Sequence, residues 1–367
     1  MKKKSSLVLV ALLCLCSAAF ADQIAIGTAG GNLYLRSEAD LSVGQTSAAP
    51  LGMITSMAAN RATGDIVVAT SESSWGELHS FNASDISTQI SAAAAFAQGA
   101  TGLAVDSSGN IIAAGKDGSG KPTVMHRQIP HVENGAPYPY IYLTLTNGAE
   151  TPMVTTSSTG TFFVGLTAPS TMTAYNRTLS WDRTNGSAAY DDADLRYGGQ
   201  DYLTAIAATS QGYLLYGEQM DAYSRVGIRD NVANGTTRFG FQNAPIGYDA
   251  TTGWFTGMIT ALAVTADDKV VIGFADGTVA IRAANDLETP IVSAILGNSI
   301  SALAVTANGN IVIGTTNGKV ALFSSNLTDL NNVLWIGNAV TALAVVPEPA
   351  TMMILSIGGL LAIRRKN

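Results

Sequence analysis

A six-residue phrase that recurs along the chain constrains the fold more than any other feature. It begins with a β-branched residue, continues with Thr or Ser, and then alternates small and aliphatic residues. The clearest copies are Ile259–Val264, Ile300–Val305 and Val340–Val345, and weaker copies begin at Ile54, Ala100, Glu150 and Leu203. Their starts lie 40 to 56 residues apart. Recurrence at spacings of this size, with insertions in the middle units, indicates a chain built from repeated β units rather than one irregular core.

Each copy except the last is followed by a polar turn and a second apolar run, as in Gly309–Gly314. A second turn then leads to a third run, as in Asp276–Ile281 and Asn317–Leu322. Asp-Gly and Asn-Gly at these turns favour tight hairpins, because they tolerate the positive φ angles that a two-residue turn needs. Each unit is therefore predicted to contain three hairpin-connected strands and a variable fourth strand, which is the blade of a β-propeller.

The two ends of the repeat region complement each other. The phrase Val340–Val345 has no second strand after it, whereas Asp22–Gly27 and Gly31–Leu35 supply a second and a third strand without a first. We therefore predict an all-β, seven-bladed β-propeller over residues 22–346, in which the last strand (340–345) completes the first blade (22–53). Six or eight blades remain alternatives, since the copies at Glu150 and Leu203 are degenerate. An open β-solenoid would leave the complementary fragments unexplained. The turn Val105–Ile111 resembles those of NHL- and WD-type repeat propellers.

The N-terminus has the three parts of an export signal. Lys2–Lys4 form a basic start, Leu7–Cys16 a short apolar run, and Ala19 and Ala21 a small-x-small cleavage site. Residues 1–21 are thus predicted to be a signal peptide that the general secretion machinery uses and signal peptidase removes. The alternative, a permanent membrane anchor, is disfavoured because ten apolar residues span too little of a bilayer core of about 30 Å.

Residues 347–367 form a second signal. The turn-prone Pro347-Glu348-Pro349 precedes the apolar segment Ala350–Ile363 and a basic cluster that starts at Arg364. This order resembles the PEP-CTERM sorting signal. The resemblance implies an exosortase-type membrane protease as partner and a location at the cell surface or in an exopolysaccharide matrix. The short hydrophobic helix expected for the tail would anchor the protein transiently or permanently, and its basic end favours the cytoplasmic side. Cleavage, exchange or retention of the tail stays open, and a plain C-terminal membrane anchor is the alternative.

Composition excludes several function classes. Both cysteines lie in the signal peptide, so segment 22–346 has no disulfide and no thiolate site. The segment keeps 14 of the 20 Lys and Arg and 26 of the 27 Asp and Glu residues, a net charge of −12 that disfavours nucleic acid. The three histidines (His79, His126 and His131) are expected in surface or turn roles. Phosphate-loop, nucleophile-elbow and zinc-protease motifs are absent from the sequence, so we predict no cofactor, no metal and no enzymatic activity.

Insertions in the middle units are the best lead to a ligand, because variable loops carry function in rigid scaffolds. Aromatic rings beside carboxylates suit a neutral extracellular polysaccharide, whose C–H faces stack on rings. The candidate ligand-binding residues are Trp181, Tyr190, Asp191, Asp192, Asp194 and Trp254. The leading prediction is a non-enzymatic binding or scaffold protein. The alternatives are a polysaccharide hydrolase or lyase that uses the acidic residues of this set, and a purely structural coat protein.

Overall fold

A computed structural model describes residues 22–127, 143–144, 151–157, 162–167, 177–181, 193–194, 202–229 and 253–346, except positions 48, 61–62, 73–74, 107–108 and 221–222. These residues form four-stranded antiparallel sheets. The first part of the chain contains β1 (Gln23–Thr28), β2 (Leu33–Ser37), β3 (Gly44–Thr46), β4 (Met53–Asn60), β5 (Asp65–Ser71), β6 (Gly76–Asn82), β7 (Asp85–Phe96), β8 (Ala100–Val105), β9 (Ile111–Lys116), β10 (Pro122–Arg127) and β11 (Leu143–Thr144).

The second part of the chain continues the same pattern. It contains β12 (Thr151–Thr156), β13 (Phe162–Thr167), β14 (Arg177–Trp181), β15 (Ala193–Asp194), β16 (Tyr202–Ala208), β17 (Leu214–Met220), β18 (Tyr223–Arg229), β19 (Gly253–Phe255), β20 (Ile259–Val264), β21 (Lys269–Phe274), β22 (Thr278–Ala283), β23 (Asp286–Ile295), β24 (Ile300–Val305), β25 (Ile311–Thr315), β26 (Lys319–Phe323), β27 (Asp329–Trp335) and β28 (Val340–Val346).

Strands that follow one another along the chain build each sheet, with one exception. Sheet A has the order β28-β1-β2-β3, and sheets B to G have the strands β4–β7, β8–β11, β12–β15, β16–β19, β20–β23 and β24–β27. The strand that the sequence assigned to the end of the chain thus pairs with the strand at its beginning, with Gln23 opposite Val346 and Ile26 opposite Leu343. The first strand of each sheet lies against the first strand of the next, and β28 lies between β24 and β4. The sheets therefore surround a common axis as in a β-propeller.

The recurring phrase forms this inner ring of strands, and its second residue sits at a β-bulge. In sheet F the register shifts between Ile259 and Ala261, so Thr260 has no partner on β21. Its hydroxyl donates instead to the carbonyl of Gly273 at 3.2 Å. Ser301 and Thr341 do the same to Gly314 and Gly27, at 3.3 and 3.2 Å. A hydroxyl at the second position thus satisfies a carbonyl close to the bulge, which explains why the phrase has Thr or Ser there.

The first residue of the phrase packs into a gap on the preceding sheet. A Cβ placed on Gly314 of sheet G would lie 2.5 Å from Cγ1 of Val340 in sheet A. A Cβ on Gly27 of sheet A would likewise lie 2.5 Å from Cγ2 of Ile54 in sheet B. Glycine on the second strand therefore receives a branched side chain from the next inner strand. This interlock continues across the junction between the end and the beginning of the chain.

Strand direction gives the ring two distinct ends. Because β28 ends at Val346 where β1 begins at Gln23, both residues lie at one end, which we call the closing end. Connections between the first and second strands, and between the third and fourth, lie at this end. The other connections lie at the opposite end, which we call the far end.

Candidate binding surface

The closing end is acidic and is held together by buried polar contacts. Glu38 is only 4% exposed and lies after β2 in sheet A. One of its carboxylate oxygens accepts from the Thr306 hydroxyl at 2.6 Å and from Asn310 Nδ2 at 2.8 Å, and the other accepts from Asn308 Nδ2 at 2.9 Å. All three donors belong to the first turn of sheet G. Asp22 also accepts from the backbone N–H of Ala307. We call this group the seam cluster, because it joins the two sheets that meet where the chain closes.

Similar contacts link other neighbouring turns at the closing end. Asn60 of sheet B donates from Nδ2 to the carbonyl of Gly109 in sheet C at 3.1 Å. Asp268 of sheet F accepts from the hydroxyl and the backbone N–H of Ser210 in sheet E, at 2.7 and 2.8 Å. The polar side chains of these turns are therefore used for holding adjacent sheets together.

Exposed carboxylates cover the rest of the closing end. They belong to Asp40, Asp85, Asp267, Asp286, Glu288 and Asp329. Hydrogen bonds from the side chain of Lys269 and from Thr265 lower the pKa of Asp267 below its usual value. The hydroxyls of Ser42 and Ser87 lower the pKa of Asp40 and of Asp85 in the same way. Asp40, Asp85 and Asp267 therefore remain charged at neutral pH, and they give the closing end negative charge.

The far end differs by exposing large apolar side chains. Six of the exposed large hydrophobic residues in the described part lie there: Met53, Trp75, Tyr223, Met258, Ile295 and Trp335. Trp75 is 48% exposed in the turn between β5 and β6. Its indole Nε1 donates to Glu72 Oε2 at 2.8 Å, which fixes the ring while leaving much of it open to solvent. A fixed aromatic face beside a carboxylate is suited to a ligand that has both C–H faces and hydroxyl groups.

Trp335 and Ile295 occupy matching places on adjacent sheets. Trp335 ends β27 opposite Lys319, and Ile295 ends β23 opposite Thr278. Each is the last residue of an outer strand, and they are 62% and 79% exposed. The turns Asn317-Gly318, before β26, and Asp276-Gly277, before β22, place polar groups at the same end. The far end thus offers exposed apolar side chains on several sheets with polar turns between them.

The six residues that the sequence identified as ligand-binding candidates are only partly placed. Tyr190, Asp191 and Asp192 lie outside the described residues. For Trp181, Asp194 and Trp254 the backbone alone is described: Trp181 pairs with Phe162, Asp194 with Arg177, and Trp254 with Arg225. Trp181 ends β14 at the closing end, whereas Asp194 and Trp254 pair near the far-end starts of β14 and β18. The strand pairing therefore does not bring these three residues to one end.

The three longest interruptions between described strands have a common origin. They separate β10 from β11, β14 from β15, and β18 from β19, which are the third and fourth strands of sheets C, D and E. All three therefore leave their sheets at the closing end, whereas the short strands β11, β15 and β19 pair near the far-end starts of β10, β14 and β18. These three sheets are the middle units of the chain, where the sequence analysis placed the insertions. The predicted cleavage residues Ala19 and Ala21 and the motif residues Pro347, Glu348 and Pro349 lie outside the described residues.

Two buried polar groups were not anticipated as such from the sequence. His79 was expected at the surface, and this expectation was wrong: the residue is 6% exposed on β6. Its ring contacts Thr70 Oγ1 at 3.3 Å, Gln89 Oε1 at 3.0 Å and Glu77 Oε2 at 3.4 Å. These partners come from β5, β6 and β7, so His79 joins three strands of one sheet. The strand is buried on both faces from Leu78 to Phe81, so a polar residue such as His79 gives no alternating pattern by which its burial could be predicted from the sequence.

The second group is an ion pair in sheet E. Arg225 Nε donates to Glu218 Oε2 at 2.6 Å between two buried side chains. The guanidinium also lies 5.9 Å from the centre of the Tyr216 ring. Glu218 and Arg225 are direct partners on β17 and β18, so the ion pair joins these two strands within the buried part of the sheet.

Neither a metal centre nor a membrane span is found in the described part of the chain. Its His, Cys, Asp and Glu residues form no group of three or more that could hold a metal ion. Within the same residues no helix has the length and apolar character needed to cross a bilayer. The aromatic residues of the far end escaped sequence reasoning, because Trp75 lies in a turn without glycine and Trp335 lies in the variable fourth strand.

Comparisons with solved structures support the propeller class. The chain is similar to the Dos1 propeller, with a TM-score of 0.54 and 12% identity over 89% of this chain and 88% of that one. It is also similar to the computationally designed Ika8 protein, with a TM-score of 0.53 and 15% identity over 88% and 90% of the two chains. A third similar structure is Chaetomium thermophilum Sqt1, solved bound to the N-terminus of the ribosomal protein L10. Its TM-score is 0.51, and it is 17% identical over 79% of this chain and 77% of that one. At these identities the likeness shows the fold alone.

A family comparison adds a second, independent feature. Residues 345–366 match the PEP-CTERM protein-sorting motif. No curated protein matches the chain. The chain is therefore a β-propeller protein that carries a PEP-CTERM motif, and the match to this motif begins in the last two residues of the closing strand β28. The motif implies export and processing by an exosortase, which is a membrane protein.

Proposed function

We propose that this protein is a non-enzymatic binding protein of the bacterial cell surface or exopolysaccharide matrix, and that its far end binds a neutral polysaccharide. The observation that carries the proposal is the contrast between the ends of the ring. The far end exposes Trp75 and Trp335 beside polar turns, whereas the closing end exposes carboxylates and uses its buried polar side chains to join adjacent sheets. Stacking on aromatic rings requires no charge on the ligand, so it is compatible with an acidic protein.

We further infer that the propeller has seven blades. Two observations support this number. The described residues form seven four-stranded sheets, and the first strands of these sheets contact one another in a closed cycle through β28. A rigid closed ring without an inner edge gives a stable platform for loops, which suits a protein that has no disulfide in segment 22–346.

The test uses the full-length protein and the extracellular polysaccharide of its own host. Co-sedimentation measures binding, and the release of reducing or unsaturated sugar ends measures cleavage in the same samples. We expect binding without release of sugar ends. Trp75→Ala and Trp335→Ala should each weaken binding about 5- to 10-fold, since a lost ring contact of about 1 kcal/mol or more has this effect. Leu330→Ala, an exposed apolar residue near the closing end, is the matched control and should bind as the unchanged protein does.

Other outcomes assign the function differently. Weakening by Trp181→Ala or Trp254→Ala, without an effect of Trp75→Ala, would move the binding site to the insertions of sheets D and E. Release of sugar ends would favour a hydrolase or lyase, and Asp191, Asp192 and Asp194 would become its first candidates, because such enzymes use carboxylate pairs across a cleft. Absence of both binding and cleavage would contradict the proposal and favour a structural coat protein.

A further inference from the structure

The PEP-CTERM motif and the fold share residues. The family match begins at residue 345, while β28 continues to Val346. Val346 is 2% exposed and pairs with Gln23. Folded structure therefore extends to the residue directly before Pro347, and no linker separates the ring from its sorting signal.

The position of β28 fixes where the signal leaves the ring. As the first strand of sheet A, β28 belongs to the inner ring and contacts β24 and β4. The signal therefore begins close to the propeller axis at the closing end, and away from the rim. Proline at positions 347 and 349 favours an extended backbone in the residues that precede it, Val346 and Glu348.

The length of the connection limits how the ring can stand. Only residues 347–349 separate β28 from the apolar segment that begins at Ala350. Three residues span at most about 10 Å when fully extended. The order β28-β1-β2-β3 places three strand spacings between the inner strand and the outer strand of sheet A, a distance of about 14 Å. A ring lying on its rim would hold the end of β28 farther from the membrane than the connection reaches.

We infer that the anchored propeller stands on its closing end, with its axis along the membrane normal and its far end presented outward. This inference rests on the proposed surface location and specifies which surface meets the ligand. It applies while the tail is retained, or when a replacement anchor is joined within these three residues. The exposed carboxylates of the closing end repel anionic lipid headgroups. The connection, rather than adhesion of this end to lipid, therefore holds the ring in place.

The experiment compares two single cysteines on one sheet. Ser325 lies in the exposed turn between β26 and β27 at the closing end, and Thr316 lies in the exposed turn between β25 and β26 at the far end. Ser325→Cys and Thr316→Cys are made in the full chain with Cys14→Ser and Cys16→Ser, and each thiol receives the same donor dye. The protein is reconstituted through its tail into phosphatidylcholine vesicles that carry an acceptor dye on the headgroups.

We expect energy transfer from position 325 to exceed that from position 316 at least about 2-fold, because strands of six or seven residues make the ring about 20 Å high. Equal transfer from both positions, or greater transfer from position 316, would overturn the inference. A second variant inserts ten Gly and Ser residues after Val346, which gives the connection a flexible reach of about 17 Å. The difference should then largely disappear, and a difference that persists would show that the connection does not set the orientation.

This outcome is separable from that of the proposed function. Polysaccharide co-sedimentation does not depend on how the ring stands on a membrane. Loss of binding with the expected dye contrast would reject the ligand and keep the orientation. Binding without the dye contrast would reject the orientation alone.

Discussion

The inner and outer strands of the sheets differ in how far their sequences can vary. β20, β24 and β28 repeat one phrase almost unchanged, and each starts with a fully buried branched residue. The outer strands β23 and β27 share neither sequence nor length, and both have mostly exposed side chains. The comparison teaches that packing around the axis determines the inner phrase, whereas the outer strands and the turns at the far end are free to serve recognition.

Sheets B and C show how strictly the inner packing is conserved within the molecule. Ala69 pairs with Ser56 as Gly273 pairs with Ala261, so Ala69 occupies the place of the receiving glycine. The residue that begins the next inner strand is Ala100, where sheets A, B, F and G have Ile or Val, and both alanines belong to one core cluster. A larger residue on one side is thus matched by a smaller residue on the other, as close packing demands.

The largest effect on stability is expected at the seam cluster, where inner and outer parts of sheets A and G meet. Glu38→Ala removes an acceptor of three hydrogen bonds and leaves the donors of Thr306, Asn308 and Asn310 without it. We expect the free energy of unfolding to fall by about 3 kcal/mol, since a buried hydrogen bond to a charged group contributes about 1.5–3 kcal/mol. Urea unfolding of the full chain measures the change.

Two further variants sharpen this prediction. Glu38→Gln keeps one carbonyl acceptor but turns an amide donor toward another donor. Its free energy of unfolding should therefore lie between those of the unchanged protein and of Glu38→Ala. Glu288→Ala removes an exposed carboxylate from the same end of the ring and should change stability by less than about 0.5 kcal/mol. Equal losses for Glu38→Ala and Glu288→Ala would show that the seam cluster does not stabilise the closure.

The sequence predicted the inner strands of the sheets well, because the recurring phrase marks these strands along the chain. The phrase, the hairpin glycines and the complementary fragments at residues 22–35 and 340–345 were enough to predict the pairing of β28 with β1. The seam cluster could not be predicted, because Glu38 and Asn310 are 272 residues apart and meet only after closure. Trp75 and Trp335 were missed because no residue repeats at their positions from one sheet to the next. That both lie at the far end follows only from the directions of the strands.

An intermediate effect is expected where the inner strands interlock. Gly314→Ala places a Cβ 2.5 Å from Cγ1 of Val340 and 3.0 Å from its Cβ. Overpacking of this kind costs about 1–3 kcal/mol, and we expect about 2 kcal/mol less stability in urea unfolding. Gly118→Ala is the control, because its nearest neighbour would be Ala97 Cβ at 3.7 Å, an ordinary contact. This control should lose less than about 0.5 kcal/mol.

A double variant tests whether the interlock works as a pair. Gly314→Ala combined with Val340→Ala recreates the combination found naturally at Ala69 and Ala100. The double variant should be more stable than the sum of the two single changes predicts, by at least about 1 kcal/mol, as coupled neighbours show. Additive losses would mean that the two positions are independent and that the matching sizes in sheets B and C have another origin.

The smallest effect is expected at the bulge hydroxyls of the inner strands. Thr260→Val keeps the shape of the side chain but removes the donor that reaches the carbonyl of Gly273 at 3.2 Å. One hydrogen bond of this type contributes about 1 kcal/mol, so urea unfolding should show a loss of about that size. Thr88→Val, an exposed position on the outer strand β7, is the control and should remain within about 0.5 kcal/mol of the unchanged protein. If both variants lost equal stability, the hydroxyl would not explain why the phrase keeps Thr or Ser, and β-propensity shared by inner and outer strands would account for it instead.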